Sequence, residues 1–278
     1  MPELAELRLT ADYVNQVAEN KIFYGVRKNP VHKGKDVEVP FHSFTIKAES
    51  RGKELMLTLT ELNSNNQVKL LMGMGMSGHF KWIEAGVLSK HSHLRFQSEA
   101  GSLDFVDVRR FGGWKVASDW SANRGPDPTV EYKQFYNNVV NNLDKTAFLK
   151  PICEVLMNQQ YFNGIGNYLR AEILLRADID PFAPAKVAIK EAPEILELCR
   201  TLPLKAYELG GGQLKDWDNP FGDLTDMASW DEFMLCYGNP NMSHKKHKGR
   251  TIWYHPKFDQ AENWCEYSDL PSPLAYQS

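Results

Sequence analysis

Residues 158–174, NQQYFNGIGNYLRAEIL, end one helical pattern at about Gln160 and begin another at about Asn167. Between them the chain turns through Gly164 and Gly166. Two helices joined by so tight a glycine turn are either a plain helix pair with glycine caps or a helix-turn-helix that meets DNA. The turn also opens a helix whose first N–H groups, with Asn167 as cap, form a ready phosphate site.

Working outward, apolar residues recur at helical spacing over 132–143, 151–160, 168–177 and 192–202, so the second half of the chain is expected to be mostly helical. Residues 207–227, YELGGGQLKDWDNPFGDLTDM, are a Gly/Asp-rich loop on composition. Residues 241–256, NMSHKKHKGRTIWYHP, look like a short hairpin, and the tail from about Lys257 is expected to be poorly ordered.

The first half reads differently. Leu4, Leu7, Ala11, Val14 and Ala18 form one stripe of an amphipathic helix, with Pro2 at about the first helical position and Glu3 and Glu6 in the first turn. Short alternating runs follow, VEVPFHSFTIKAE (37–49), ELMLTLT (54–60), SHLRFQSE (92–99) and LDFVDVRRF (103–111), which predict a largely antiparallel assembly of two packed sheets. SDWSANRGPDPTVEY (118–132) breaks all periodicity and marks the domain boundary. The expected division is a β-sandwich domain over 1–120, a linker over 121–131, a helical domain over 132–256 and a tail over 257–278.

The 278 residues, 42% hydrophobic and 24% charged, suffice for two modest cores, and no run approaches the roughly 20 apolar residues of a membrane span. No secretory leader is evident, so a cytosolic or nuclear protein is expected. Four scattered cysteines without a C-x-x-C pair suit a reducing compartment. The net charge of −3 and pI near 6.3 count against a nucleic-acid binder unless positive charge is gathered locally.

Several groups carry candidate chemistry beside bland alternatives. If Met1 is removed, Pro2 offers a secondary amine with an ordinary pKa of roughly 7.7–8.0, beside two carboxylates able to move protons. The same residues also make an ordinary helix start. Lys53 follows a glycine turn and opens a strand, as a solvated lysine or a functional one. Met74 and Met76, among Gly73, Gly75 and Gly78, are either a core-edge turn or a flexible wedge. Arg109 and Phe111, two apart at a strand end, point to one face and suit insertion into a duplex opened at one base, or form a surface cation–π pair. His244, Lys245, Lys246, His247, Lys248 and Arg250 concentrate charge in a hairpin that is either solvated or touches phosphates. Cys236, His244, His247 and His255 lie near one another but lack a zinc-site spacing.

Taken in order, MPELAE, RGKEL, GMSG, HSHLRF, VDVRRFGGW, FNGIGNYLRAEIL, CYGNPNMS and GRTIWY resemble the formamidopyrimidine-DNA glycosylase/endonuclease VIII family, most closely its endonuclease VIII-like 1 branch, over residues 1 to about 256. The resemblance implies an α+β chain: an N-terminal helix with a two-layer antiparallel β-sandwich, then a helix–two-turns–helix domain with a zincless finger hairpin. It implies a bifunctional glycosylase and AP lyase that excises oxidised bases without a cofactor or metal. Pro2 would be the nucleophile, Glu3 the acid assisting ring opening, Glu6 a proton carrier, and Lys53 a phosphate-binding catalytic group. Met76, Arg109 and Phe111 would fill the space left by the flipped base, with Asn167 and Arg250 on backbone phosphate. The implied partner is damaged DNA, bound by a monomeric nuclear protein, with downstream repair proteins left open.

Three departures accompany the resemblance. Ala5 replaces the second proline of the family's usual PEGPE or PELPE start, which raises the alternative of a non-catalytic damage-binding protein. Gly212 stands where the branch carries a basic residue, with Lys215 three positions on. The chain also ends soon after the hairpin, without the long tail common in that branch, which puts tail-mediated partners in doubt. The net charge supports a third reading, an inert acidic scaffold.

Overall fold

In the computed structural model, residues 2–87, 89–212, 219–221 and 227–260 are described. Helix α1 (Leu4–Ala18) is amphipathic as its spacing predicts, yet its stripe is divided between two cores. Leu7, Ala11, Val14 and Ala18 pack on the sheet, whereas Leu4 and Ala5 belong to the core of the helical half. One helix thus joins both halves. Each fully buried leucine contributes about 1.5–3 kcal/mol.

The strands are β1 (Phe23–Lys28), β2 (Phe44–Arg51), β3 (Glu54–Glu61), β4 (Gln67–Gly73), β5 (His79–Glu84), β6 (Ser92–Ser98), β7 (Gly101–Val106) and β8 (Gly113–Val116). They run in the order β5-β7-β6-β1-β2-β3-β4-β8, with every pairing antiparallel. Two four-stranded layers meet through the single β1–β2 register pair Phe23↔Phe44, whose rings stack 6.0 Å apart. Side chains from both layers fill one core, and Trp114 of β8 meets Phe105 of β7 edge-on. Residues 37–43 are not a strand, although Val37, Val39 and Phe41 still lean on that core. Pro40 lacks the N–H that a ladder needs.

Residues 121–131 lack regular structure but are pinned at several points. Gly52 N–H donates to Asp127 Oδ2 at 2.7 Å, Arg51 pairs with Glu131 at 2.7 Å, and Gly125 N–H donates to Gln159 O at 2.9 Å. The helices are α2 (Tyr132–Val140), α3 (Ile152–Val155), α4 (Asn167–Arg176), α5 (Ala185–Glu191), α6 (Glu194–Glu208) and α7 (Met227–Phe233). α3 is much shorter than the 151–160 pattern implied. After it the Asn158 side chain takes the Gln160 N–H, a local bond that competes with helix. α5 was not foreseen, and α6 continues through Pro203 past the predicted end.

Strands β9 (Ser243–His247) and β10 (Arg250–Tyr254) form the expected hairpin, closed by Lys248 and Gly249 with φ of 46° and 76° as a two-residue primed turn requires. His247 Nε2 and Lys248 Nζ meet Glu154 at 2.6 and 2.7 Å, and Phe182 packs edge-on against His247 and Tyr254. Glu172, fully buried on α4, accepts the N–H groups of Leu235, Cys236 and Tyr237 at 3.1, 2.8 and 2.9 Å and pairs with Arg176 at 2.5 Å. Order does not end at Lys257. Pro256–Phe258 is a 3-10 turn and Lys257 pairs with Asp178, while residues 261–278 lie outside the described part.

Glu172→Ala should strand three N–H groups and the Arg176 cation, costing about 3–5 kcal/mol in denaturant unfolding. Amide exchange at residues 235–237 should rise with it, and unchanged exchange there would show that the hairpin is anchored elsewhere.

Candidate active site

Pro2 is buried, but it precedes the helix rather than opening it. Glu3 is the N-cap, extended at φ −113° and ψ −165°, and α1 starts at Leu4. The Glu3 N–H, on the amide formed with Pro2, donates to Glu6 Oε2 at 2.8 Å, so a first-turn carboxylate satisfies a helix-start donor.

The Glu3 carboxylate occupies the N-terminus of α4. It accepts N–H bonds from Gly166 (2.7 Å), Tyr168 (3.0 Å) and Leu169 (3.3 Å). The helix start expected to bind phosphate therefore already holds a carboxyl group of this chain, and its N-cap is Gly166, not Asn167. A Cβ at Gly166 would lie 2.2 Å from Glu3 Cδ and 2.3 Å from Lys53 Nζ, so only glycine admits both. Asn167 instead reaches the hairpin. Its Nδ2 donates to Thr251 O at 3.3 Å and its Oδ1 accepts from Arg170, next to Arg250 at the start of β10.

Lys53 lies in the two-residue turn between β2 and β3, not in the strand, and Nζ donates to Ile165 O at 3.1 Å. Burial lowers its pKa, opposed by Glu3, and the cations Arg250 and Arg124 add to the lowering. Burial raises Glu3, against the Lys53 ammonium and the three N–H groups that favour its anion. Glu6 is pushed up to about 7 by burial and then by the Glu3 charge. Pro2, Glu3, Glu6, Lys53, Asn167 and Arg250 are thus gathered where α1, the β2–β3 turn, α4 and β10 meet.

Met76, Arg109 and Phe111 are held together by a different device. Asp107, fully buried, accepts from the Ser77 hydroxyl, from Arg109 N–H at 3.1 Å and from Gly112 N–H at 2.7 Å. It ties the β4–β5 loop bearing Met76 to the segment bearing Arg109 and Phe111. A Cβ on Gly75 would meet Gly112 N at 2.6 Å, so the two backbones touch. β7 ends at Val106, so strand period does not align Arg109 with Phe111. A left-handed Arg110 (φ 56°) does, leaving the Arg109 guanidinium 5.1 Å from the Phe111 ring centroid.

Sequence reading missed Asp107, Tyr168 and Asn163. Tyr168 donates its hydroxyl to Glu6 Oε1 at 3.0 Å, and Asn163, fully buried, donates to Gly125 O at 2.9 Å and faces Lys53 N–H at 3.4 Å. Asp107 ends an alternating run and Tyr168 sits in an apolar helix stripe, patterns that report burial but not polar partners. Of the residues weighed for zinc, His247 pairs with Glu154, His244 packs on Trp253 and His255 accepts the Lys257 N–H. Gly212 packs against Trp230, and Lys215 lies outside the described residues.

Residues 1–114 match the formamidopyrimidine-DNA glycosylase N-terminal domain. The chain is 39% identical to Endonuclease 8-like 1 of Mus musculus over 287 residues, covering 91% of this chain and 72% of the mouse protein, and the Homo sapiens protein gives the same figures. It is 29% identical to the formamidopyrimidine-DNA glycosylase of Prochlorococcus marinus (strain MIT 9301), covering 80% and 85%. The fold is similar to crystalline MutM (Fpg) of Thermus thermophilus, with a TM-score of 0.77 and 23% identity over 92% of this chain and 98% of that one. By sequence and architecture together, the chain belongs to the formamidopyrimidine-DNA glycosylase/endonuclease VIII family.

Proposed function

We propose that this protein is a bifunctional DNA glycosylase and AP lyase that removes oxidised pyrimidines and ring-opened purines from damaged DNA in base excision repair, acting as a monomer in the nucleus. The observation that carries the reading is the convergence of Pro2, Glu3, Glu6 and Lys53 at one junction of both halves. Its relatives are named formamidopyrimidine-DNA glycosylases and Endonuclease 8-like 1, and a neighbour of the same fold, LlFpg, is described in complex with THF-DNA and an inhibitor.

With Met1 removed, the Pro2 amine attacks C1′ of the flipped nucleotide as the base departs. Glu3 assists opening of the sugar ring and Glu6 carries protons. The secondary amine yields an iminium with no N–H proton to lose, which stays cationic and serves as the electron sink for β- and δ-elimination. Lys53, Asn167 and Arg250 bind backbone phosphate, and Met76, Arg109 and Phe111 replace the stacking lost on extrusion. Ala5 supports the catalytic reading over the non-catalytic one: fully buried in the helical core, it leaves the start of α1 intact, with Leu4 N–H on Gly164 O at 3.1 Å.

Borohydride added to the protein and abasic-site DNA should yield a covalent complex through Pro2. No complex from wild-type protein, with Met1 shown absent by mass analysis, overturns the reading. Arg250→Ala should weaken binding to damaged and intact duplex by similar factors and reduce the salt slope by about 1. Phe111→Ala should slow excision from duplex more than from single strands, because only a duplex has a gap to fill. Because Glu6 has a folded pKa of about 7 against 4.5, folding stability should fall as pH rises through that window. Glu6→Gln should remove on the order of 3 kcal/mol of that fall, read by denaturant unfolding at both ends, while Glu3 keeps a share of the same sign.

A further inference from the structure

One residue of α4 holds both acids of α1. The backbone N–H of Tyr168 donates to Glu3 Oε1 at 3.0 Å, and its hydroxyl donates to Glu6 at 3.0 Å from Oε1 and 3.3 Å from Oε2. The side chain is 1% exposed and its ring meets Trp230 edge-on at 5.9 Å, so the hydroxyl has a fixed position. On its other side the Glu6 carboxyl takes the Glu3 N–H, one peptide from Pro2. Both of its oxygens are therefore tied, one toward the proposed nucleophile and one toward α4.

We propose that Tyr168 is a positioning residue which fixes the Glu6 carboxyl beside the Pro2–Glu3 amide and sets the pH at which that carboxyl releases its proton. The inference rests on the proposed function only for its catalytic meaning. The groups that face Glu6 are Glu3 from its own helix, Lys53 from the β2–β3 turn, Tyr168 from α4 and the Gly212 N–H at 3.5 Å. Glu172 acts on Tyr168 from the next turn of α4. Among these, the Tyr168 hydroxyl, the Glu3 N–H and the more distant Gly212 N–H donate hydrogen bonds that favour the Glu6 anion, and only the hydroxyl can be removed without altering the backbone.

The test is an infrared titration of the protein without DNA, in which the Glu6 carboxylic band is identified by its loss in Glu6→Gln. Tyr168→Phe should raise the midpoint by about one pH unit, the scale of one hydrogen bond to a charged group. Tyr168→3-fluorotyrosine, which keeps the ring and makes the hydroxyl a stronger donor, should lower it. The limb of the borohydride-trapping pH profile governed by Glu6 should move with each variant. A midpoint unmoved by both substitutions overturns the proposal, as does a trapping profile that shifts while the infrared midpoint stays fixed. Absence of trapping in wild-type protein would instead sink the proposed function and leave the infrared result standing.

Discussion

The Glu3 carboxylate seated on the N-terminus of α4 is the contact on which the rest of the molecule depends. A buried helix start leaves donors that need acceptors, and here they come from the first turn of another helix 163 residues away. Leu4 and Ala5 then pack in the helical core, while the remainder of α1 packs in the sandwich. The position of the chain's start, and with it Pro2, is therefore set by both halves at once. Gly166 is needed because the carboxylate and the Lys53 ammonium take the space of any side chain there.

Two carboxylates three residues apart end in different electrostatic states because their surroundings differ. Glu3 has three N–H donors and Lys53; Glu6 has one close N–H at 2.8 Å, a second at 3.5 Å, a tyrosine hydroxyl and the repulsion of Glu3. Like charges so close cannot both ionise cheaply, and the less compensated group keeps its proton longer. Burial raises both carboxyls and the Glu3 charge raises Glu6 further, so the pair can hold and pass protons near neutral pH, as the roles proposed for Glu3 and Glu6 require. The same burial lowers Lys53, so all three groups are poised by one dry junction.

The parts legible in the sequence were those governed by period and punctuation. The stripe of α1, the strands over 44–49, 54–60, 92–98 and 103–106 and the glycine turn before Asn167 all follow from local rules, and the structure carries each of them. Long-range polar choices left no periodic trace. Nothing local tells that the α4 N-terminus prefers Glu3 to an external phosphate, or that Asp107 gathers two loops. The reading of Arg109 and Phe111 reached a true pairing through a wrong cause, since strand period and a left-handed residue at Arg110 both bring i and i+2 together. α3 was overestimated because its apolar pattern continues past Val155 while Asn158 redirects the backbone bonds.

The acidic balance that argued against nucleic acid is resolved by where the acids are. Among the described residues Glu3, Glu6, Glu54, Asp104, Asp107, Asp127, Glu172 and Asp180 are buried, whereas Arg170 is the one lysine or arginine buried to the same degree. Their partners are backbone N–H groups, hydroxyls and arginines of the same chain, as in the Asp104 contacts to Ser92 and Arg95. These acids build the interior and add little to the field outside it, because internal donors already compensate them. Arg95, Arg124 and Arg176 pair with Asp104, Glu54 and Glu172, so these interior charges largely cancel and the formal net charge of −3 says little about any one face. Arg109 beside Phe111 and Arg250 at the hairpin turn are the cations proposed to meet a polyanion, and local charge of this kind makes an acidic composition compatible with DNA binding.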